Sequence, residues 1–257
     1  MPAGIRTVYN IQFRVMPRSF LVTRWAIVWF VLSTAVAMAL YPGGTYLNKT
    51  TLGYSFFSNF LSDLGTVVAW GGEPNLPAAV IFVLAEVVLV GALIAFFAAL
   101  LKRLSTGAGK RWAQAGVAAG LLAAIGILIA ALVPADRFLT LHVQGALLAF
   151  RGLVPAAACF AIATARDRRF SRRAVAGWIV LTVLLAAYIG ILQWGPRIRT
   201  DYGLTFQATA QKVIVFALLV IVWLESVAGE QVPLHVEPQS GVVPSADRET
   251  RNHEVSV

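Results

Sequence analysis

Six apolar runs, covering residues 25–41, 76–101, 112–133, 138–163, 174–194 and 204–228, constrain this chain more than any other feature. Crossing about 30 Å of hydrocarbon takes about 20 predominantly apolar residues in a helix. The first run is short and draws on residues before Trp25, while the second is long enough to tilt. Backbone N–H and C=O groups find no partner in hydrocarbon, so a spanning run must close its hydrogen bonds within a helix. A membrane barrel would show alternating segments about ten residues long, and the sequence has none. The predicted architecture is all-α: a polytopic six-transmembrane-helix bundle over residues 25–228. An arm over 1–24 precedes it, and a disordered tail over 229–257 follows.

Composition excludes the alternative of a soluble domain. Only 13% of the residues are charged and 58% are hydrophobic, whereas a soluble domain covers its surface with about 25% charged residues. The formal net charge of +9 would suggest nucleic acid in a soluble protein. Sorted by connection, it says something else. Fifteen of the 21 basic residues fall in the N-terminal arm, the second and fourth connections and the tail, against four on the other side. The positive-inside rule therefore places both termini in the cytoplasm, and the expected location is the plasma membrane. No nucleic-acid partner is implied. Arg166, Arg168, Arg169, Arg172 and Arg173 are expected to meet anionic inner-leaflet lipids.

The first apolar run lacks a small-residue cleavage site and reads as a retained span. The single cysteine, Cys159, leaves no intrachain disulfide and no cysteine-based metal site. No internal repeat of the inverted-transporter kind is evident. Asn48-Lys49-Thr50 matches the glycosylation sequon in the long outer loop, residues 42–75. Gly116-x-x-x-Gly120 is a small-residue face suited to close helix approach.

Chemistry-bearing residues concentrate toward the outer half. Between Tyr54 and Gly65, Phe56, Phe57, Phe60, Leu61 and Leu64 recur at helical spacing, opposite Ser55, Ser58, Asn59, Ser62 and Asp63. This predicts one amphipathic outer-loop helix. It either lies in the headgroups or folds over the bundle mouth with Ser62 and Asp63 turned into a polar cavity. Asp136 lies in the tight turn before the fourth span, and His142 about one turn into it. A histidine within a span faces a cavity or a partner, so His142 either ties to an aspartate structurally or serves as an acid–base group. One histidine with Asp63 and Asp136 is a poor zinc set, so neither metal nor cofactor is expected. Glu86 and Arg151 reach mid-membrane at similar depth, and mutual pairing would relieve both. Thr140, Gln144 and Arg151 share one helical face, with His142 about 180° away. Gln207 and Gln211 share a face of the last span, followed by Lys212.

Ser62-Asp63-Leu64-Gly65, followed about seventy residues later by Pro134-Ala135-Asp136 and then His142, resembles the DUF998 family of six-span membrane proteins. That family is similar to the damage-regulated autophagy modulator group. The likeness covers residues 20–228. It implies a six-helix bundle and a link to lipid handling, GPI-anchor remodelling or autophagy regulation, with a structural or ligand-binding feature at those residues.

The expectation is an integral membrane protein that binds a lipid or amphiphile in a polar pocket open to the outer leaflet. The lining would be Ser62, Asp63, Asp136, His142, Glu86, Gln144, Arg151, Gln207, Gln211 and Lys212. Two alternatives stand beside it. One is a membrane-embedded lipid hydrolase or transferase using Asp63, Asp136 and His142, which needs His142 within about 3 Å of a carboxylate beside an open cavity. The other is a small transporter, which needs a polar path through the cytoplasmic half.

Overall fold

The computed structural model describes residues 18–105 and 107–232. The expectations for residues 1–17 and 233–257 lie outside the described residues. Six helices carry the chain: α1 (Arg18–Leu40), α2 (Leu76–Arg103), α3 (Lys110–Leu132), α4 (Leu139–Ala165), α5 (Arg172–Trp194) and α6 (Asp201–Gln231). All six are long and apolar enough to cross a membrane. The chain is an all-α integral membrane bundle. Each helix runs past its apolar stretch at one end or both. α1 starts seven residues before Trp25, and α6 takes in Gly229–Gln231 of the expected tail.

Each helix packs on its neighbours in chain order, and α6 closes the ring on α1. One end of the ring carries Arg18, the α2–α3 and α4–α5 connections and the end of α6; its arginines and lysines make it the basic end. The other is the capped end, where the segment between α1 and α2 folds across the mouth. Within that segment, residues Leu61–Gly65 form a 3-10 turn that packs on α2, α3 and α6.

Small residues set the closest contact. Gly126 and Ala123 of α3 face Gly145, Ala149 and Gly152 of α4, and the two backbones approach closely. A Cβ on Gly126 would lie 2.4 Å from the Ala149 nitrogen, and one on Gly145 would lie 2.6 Å from Ile129 Cγ2. Lipid tails are as apolar as leucine, so association depends on such close packing. Gly116 of the expected packing face meets Phe160 of α4, while Gly120 instead meets Phe97 of α2. The small-residue face thus serves two neighbours.

The basic half of the ring is filled by aromatic rings. Phe97 stacks on Phe160 at 5.5 Å, Phe160 lies 5.0 Å from Trp178, and Phe20 meets Phe96 edge-on at 5.9 Å. Phe20, Phe96 and Phe160 are fully buried. Buried Thr23, Thr164, Glu225 and Ser226 lie among these rings.

Candidate functional site

The amphipathic segment is helical only over its last five residues. Residues Tyr54–Phe60 form turns instead, with Ser58 and Asn59 N–H groups bonded to the Ser55 carbonyl. The physical reason lies in the polar side chains, which bond backbone groups and compete with a helix ladder. Asn59 is fully buried; its amide donates to the Gly44 carbonyl at 2.9 Å and to Asp63 Oδ2 at 2.9 Å, and its Oδ1 accepts from the Ser55 N–H. Asp63 reaches back to the Phe60 N–H at 2.9 Å, as an acid three residues into a helical turn does. Leu61 and Leu64 point inward, while Phe56 and Phe57 are exposed. The segment is therefore a cap over the mouth, held by its polar face.

Lys212 completes this cluster from α6. Its ammonium, buried from solvent, donates to the carbonyls of Asn59 and Ala208 and lies 5.5 Å from the Tyr54 ring and 5.3 Å from the Phe56 ring. Asn59 thus bridges Asp63 and Lys212. Burial raises the Asp63 carboxyl above its ordinary value, against the lowering effect of the Asn59 and Phe60 donors and the Lys212 charge. The Tyr54 hydroxyl, pushed up by the same burial, donates to the carbonyls of Asn59 and Phe60.

Four more of the expected site residues have equally definite partners. Gln211 accepts from the Leu61 N–H at 2.8 Å, and Gln207 donates to the Pro196 carbonyl at 2.9 Å. Asp136 accepts from the N–H groups of Val67 and Val68 at 3.0 and 3.2 Å. Asp136 thus ties the α1–α2 segment to the α3–α4 turn through backbone amides, where a histidine–aspartate bond was the expectation. His142 is buried and its Nδ1 pairs with the Val133 carbonyl at 2.9 Å. It does not meet Asp63 or Asp136, so the histidine–carboxylate arrangement needed for acid–base chemistry is not assembled. Ser62 is half-buried, and its hydroxyl makes no hydrogen bond among the described residues.

Two deeper expectations are corrected. Glu86 and Arg151 do not pair, because α3 stands between α2 and α4 in the ring. Glu86 is half-buried on α2, and Arg151 is exposed on α4. The shared face of Thr140, Gln144 and Arg151 is real, but it points out of the bundle. His142 lies inward on the opposite face of α4, as the helical angle required.

Sequence reasoning gave little weight to Asn59 and missed Asn75, the other fully buried asparagine of the cap. Asn75 donates to the carbonyls of Leu64 and Thr66 and so fixes the far end of the cap on α2. The available signal was an asparagine four residues before Asp63 and another just before Pro77, where a helix begins.

A cleft of about 400 Å³ was also missed. It runs along α6 beside α5 at the capped end, lined by Ile191, Tyr202, Thr205, Phe206, Thr209, Ala210 and Val213. The α6 residues recur every three or four positions, which makes one helix face, turned away from Gln207 and Gln211. From Tyr202 to Val213 this face runs about 16 Å along the helix axis, close to the ~15 Å hydrocarbon depth of one leaflet. Among the described residues no cluster of three or more histidine, cysteine or acidic side chains could hold a metal ion.

No family model, curated protein or solved structure matches the chain. The geometry of the cap and the cleft therefore carries the functional reading.

Proposed function

We propose that this integral membrane protein binds a lipid or related amphiphile from the leaflet at its capped end, with the tail laid in the cleft between α5 and α6. The cleft carries the reading, because its volume lies within the usual 300–1,000 Å³ of ligand sites. Its length also matches one leaflet. Exposed Trp194 and Tyr202 flank its head, as aromatic residues do at a membrane interface. The connection between cleft residues Ile191 and Tyr202 carries Arg197 and Arg199, both exposed and suited to a phosphate-bearing headgroup.

The ligand reading thus moves from a polar mouth to a lateral groove. Asp63, Asp136, Gln207, Gln211 and Lys212 support it indirectly, by holding the cap and the α5–α6 connection in place. The charge distribution favours the capped end outward, with both termini in the cytoplasm and the plasma membrane as location. Arginines 166 to 173 then face the anionic inner leaflet.

Native mass spectrometry of the detergent-purified protein tests the proposal. Wild type is expected to retain one lipid-sized adduct, and Thr209→Trp, which fills the cleft, is expected to lose it. Val183→Trp, on an exposed face of α5 away from the cleft, is the control and should retain it. An adduct that survives Thr209→Trp would sink the cleft assignment.

A further inference from the structure

The outward face of α4 is unlike any lipid-facing surface the rest of the ring presents. Gln144 and Arg151 are both exposed there, with Thr140 one turn before Gln144. Arg151 is twelve residues beyond Leu139, about 18 Å along the axis and so near mid-membrane. It makes no hydrogen bond or ion pair among the described residues. An unpaired guanidinium at that depth is strongly disfavoured, and its stem is too short to carry the charge about 15 Å to either interface. Pro155, four residues on, is exposed on the same face and lacks the N–H that would bond the Arg151 carbonyl. The same spot therefore offers donors and a freed acceptor to whatever packs against it.

A second copy of this chain does not answer that demand. Meeting α4 to α4 at equal depth brings Arg151 against Arg151. The acids within the spans are no help either: Glu225 is 2% exposed and Glu86 is half-buried in the ring. Polar side chains bond helices together in lipid because their alternative is an unsatisfied group. We infer that this face of α4 docks a membrane-spanning helix of another protein, one that carries a carboxyl group at mid-depth opposite Arg151 and packs its neighbouring turn on Gln144. The inference is independent of the lipid cleft, which lies on α5 and α6.

The test uses full-length protein in phosphatidylcholine vesicles, with a fluorescence acceptor at its C-terminus. The probes are donor-labelled leucine-rich spanning peptides with Glu, Gln or Leu at the central position. The Glu peptide is expected to associate at least tenfold more tightly than the Leu peptide, with Gln between them. Arg151→Leu should bring the Glu peptide down to the level of the Leu peptide, while Arg151→Lys should keep part of the preference. Gln144→Leu should weaken association less. Arg151 is exposed, so an unchanged melting temperature in detergent separates lost docking from lost fold. Equal association of the Glu and Leu peptides overturns the inference, as does a Glu preference that survives Arg151→Leu. Arg151-dependent transfer between two labelled copies of the protein, without peptide, would assign the face to self-association instead.

Discussion

The two ends of the ring are closed by different physics. At the capped end, a segment of more than thirty residues is held by neutral amides, one buried aspartate and one buried lysine, nearly all bonded to backbone groups. At the basic end the connections are short. The work there is shared between aromatic packing and partly exposed ion pairs, Arg24 with Glu230 at 2.7 Å and Asp167 with Arg169 at 2.6 Å. Arg103 adds a bond to the Val232 carbonyl. A long irregular segment must satisfy its own N–H and C=O groups wherever it is buried. That explains why the capped end collects side-chain-to-backbone bonds. A helix end near water has no such need and can spend charge on the surface.

The contrast can be broken from either side. The largest effect is expected for Phe160→Ala, which removes the ring stacked between Phe97 and Trp178 and should cost about 3–5 kcal/mol of bundle stability. The check is a lowered melting temperature for the whole protein in detergent. Asn59→Ala should cost about 3 kcal/mol, because the Gly44 carbonyl and the Asp63 carboxyl each lose a buried partner. Here the readout differs: hydrogen exchange and proteolysis of residues 42–75 should accelerate more than the helices loosen. If both variants lowered only the global transition, the two ends would not be separable units.

Asp136→Ala should cost about 1–2 kcal/mol by freeing the Val67 and Val68 amides, seen as faster exchange at those two positions. Arg24→Ala should cost about 1 kcal/mol, since both side chains of that pair are only about one-sixth exposed and keep some of their attraction. A double-mutant cycle with Glu230→Ala measures it.

The smallest effect sharpens the comparison through pH, with opposite signs at the two ends. Burial holds the folded Asp63 carboxyl above its ordinary value of 3.8, so the folded cap binds its proton first. Cap stability should therefore rise as pH falls through that raised value, and level off below about 4. Arg169 holds Asp167 below its ordinary value of 3.8 through their hydrogen bond. That contribution is present above about 4 and is lost as pH falls through the lowered value. Protection factors corrected for intrinsic exchange should thus tighten in residues 42–75 and, at lower pH, loosen around Asp167. Asp63→Asn and Asp167→Asn should each flatten one of the two responses.

How much of this was legible beforehand follows a physical boundary. The helices were readable because hydrocarbon allows no other spanning backbone, and their lengths follow from its thickness. Helical angles were equally secure, as the opposed faces of His142 and Arg151 show. Which face turns inward was not readable. Periodicity fixes the angle between two residues on one helix and says nothing about which neighbour each meets. Glu86 and Arg151 share a depth, yet chain-order packing puts α3 between their helices. The cap was foreseen as an amphipathic helix because the pattern was right, but Asn59 and Asp63 bond their own backbone and keep all but five residues out of it.

By itself the sequence determined an all-α membrane chain, six spans, and a basic bias that separates the two ends. These depend on solvent and charge, which act on each segment without reference to the others. Only the tertiary structure decided that the polar residues of the capped half hold a cap, that a cleft about 16 Å long opens along α6, and that Arg151 faces outward. Those outcomes depend on the order of helices around the ring and on where small residues let backbones approach. Both are properties of pairs of segments, and no single stretch of sequence contains them.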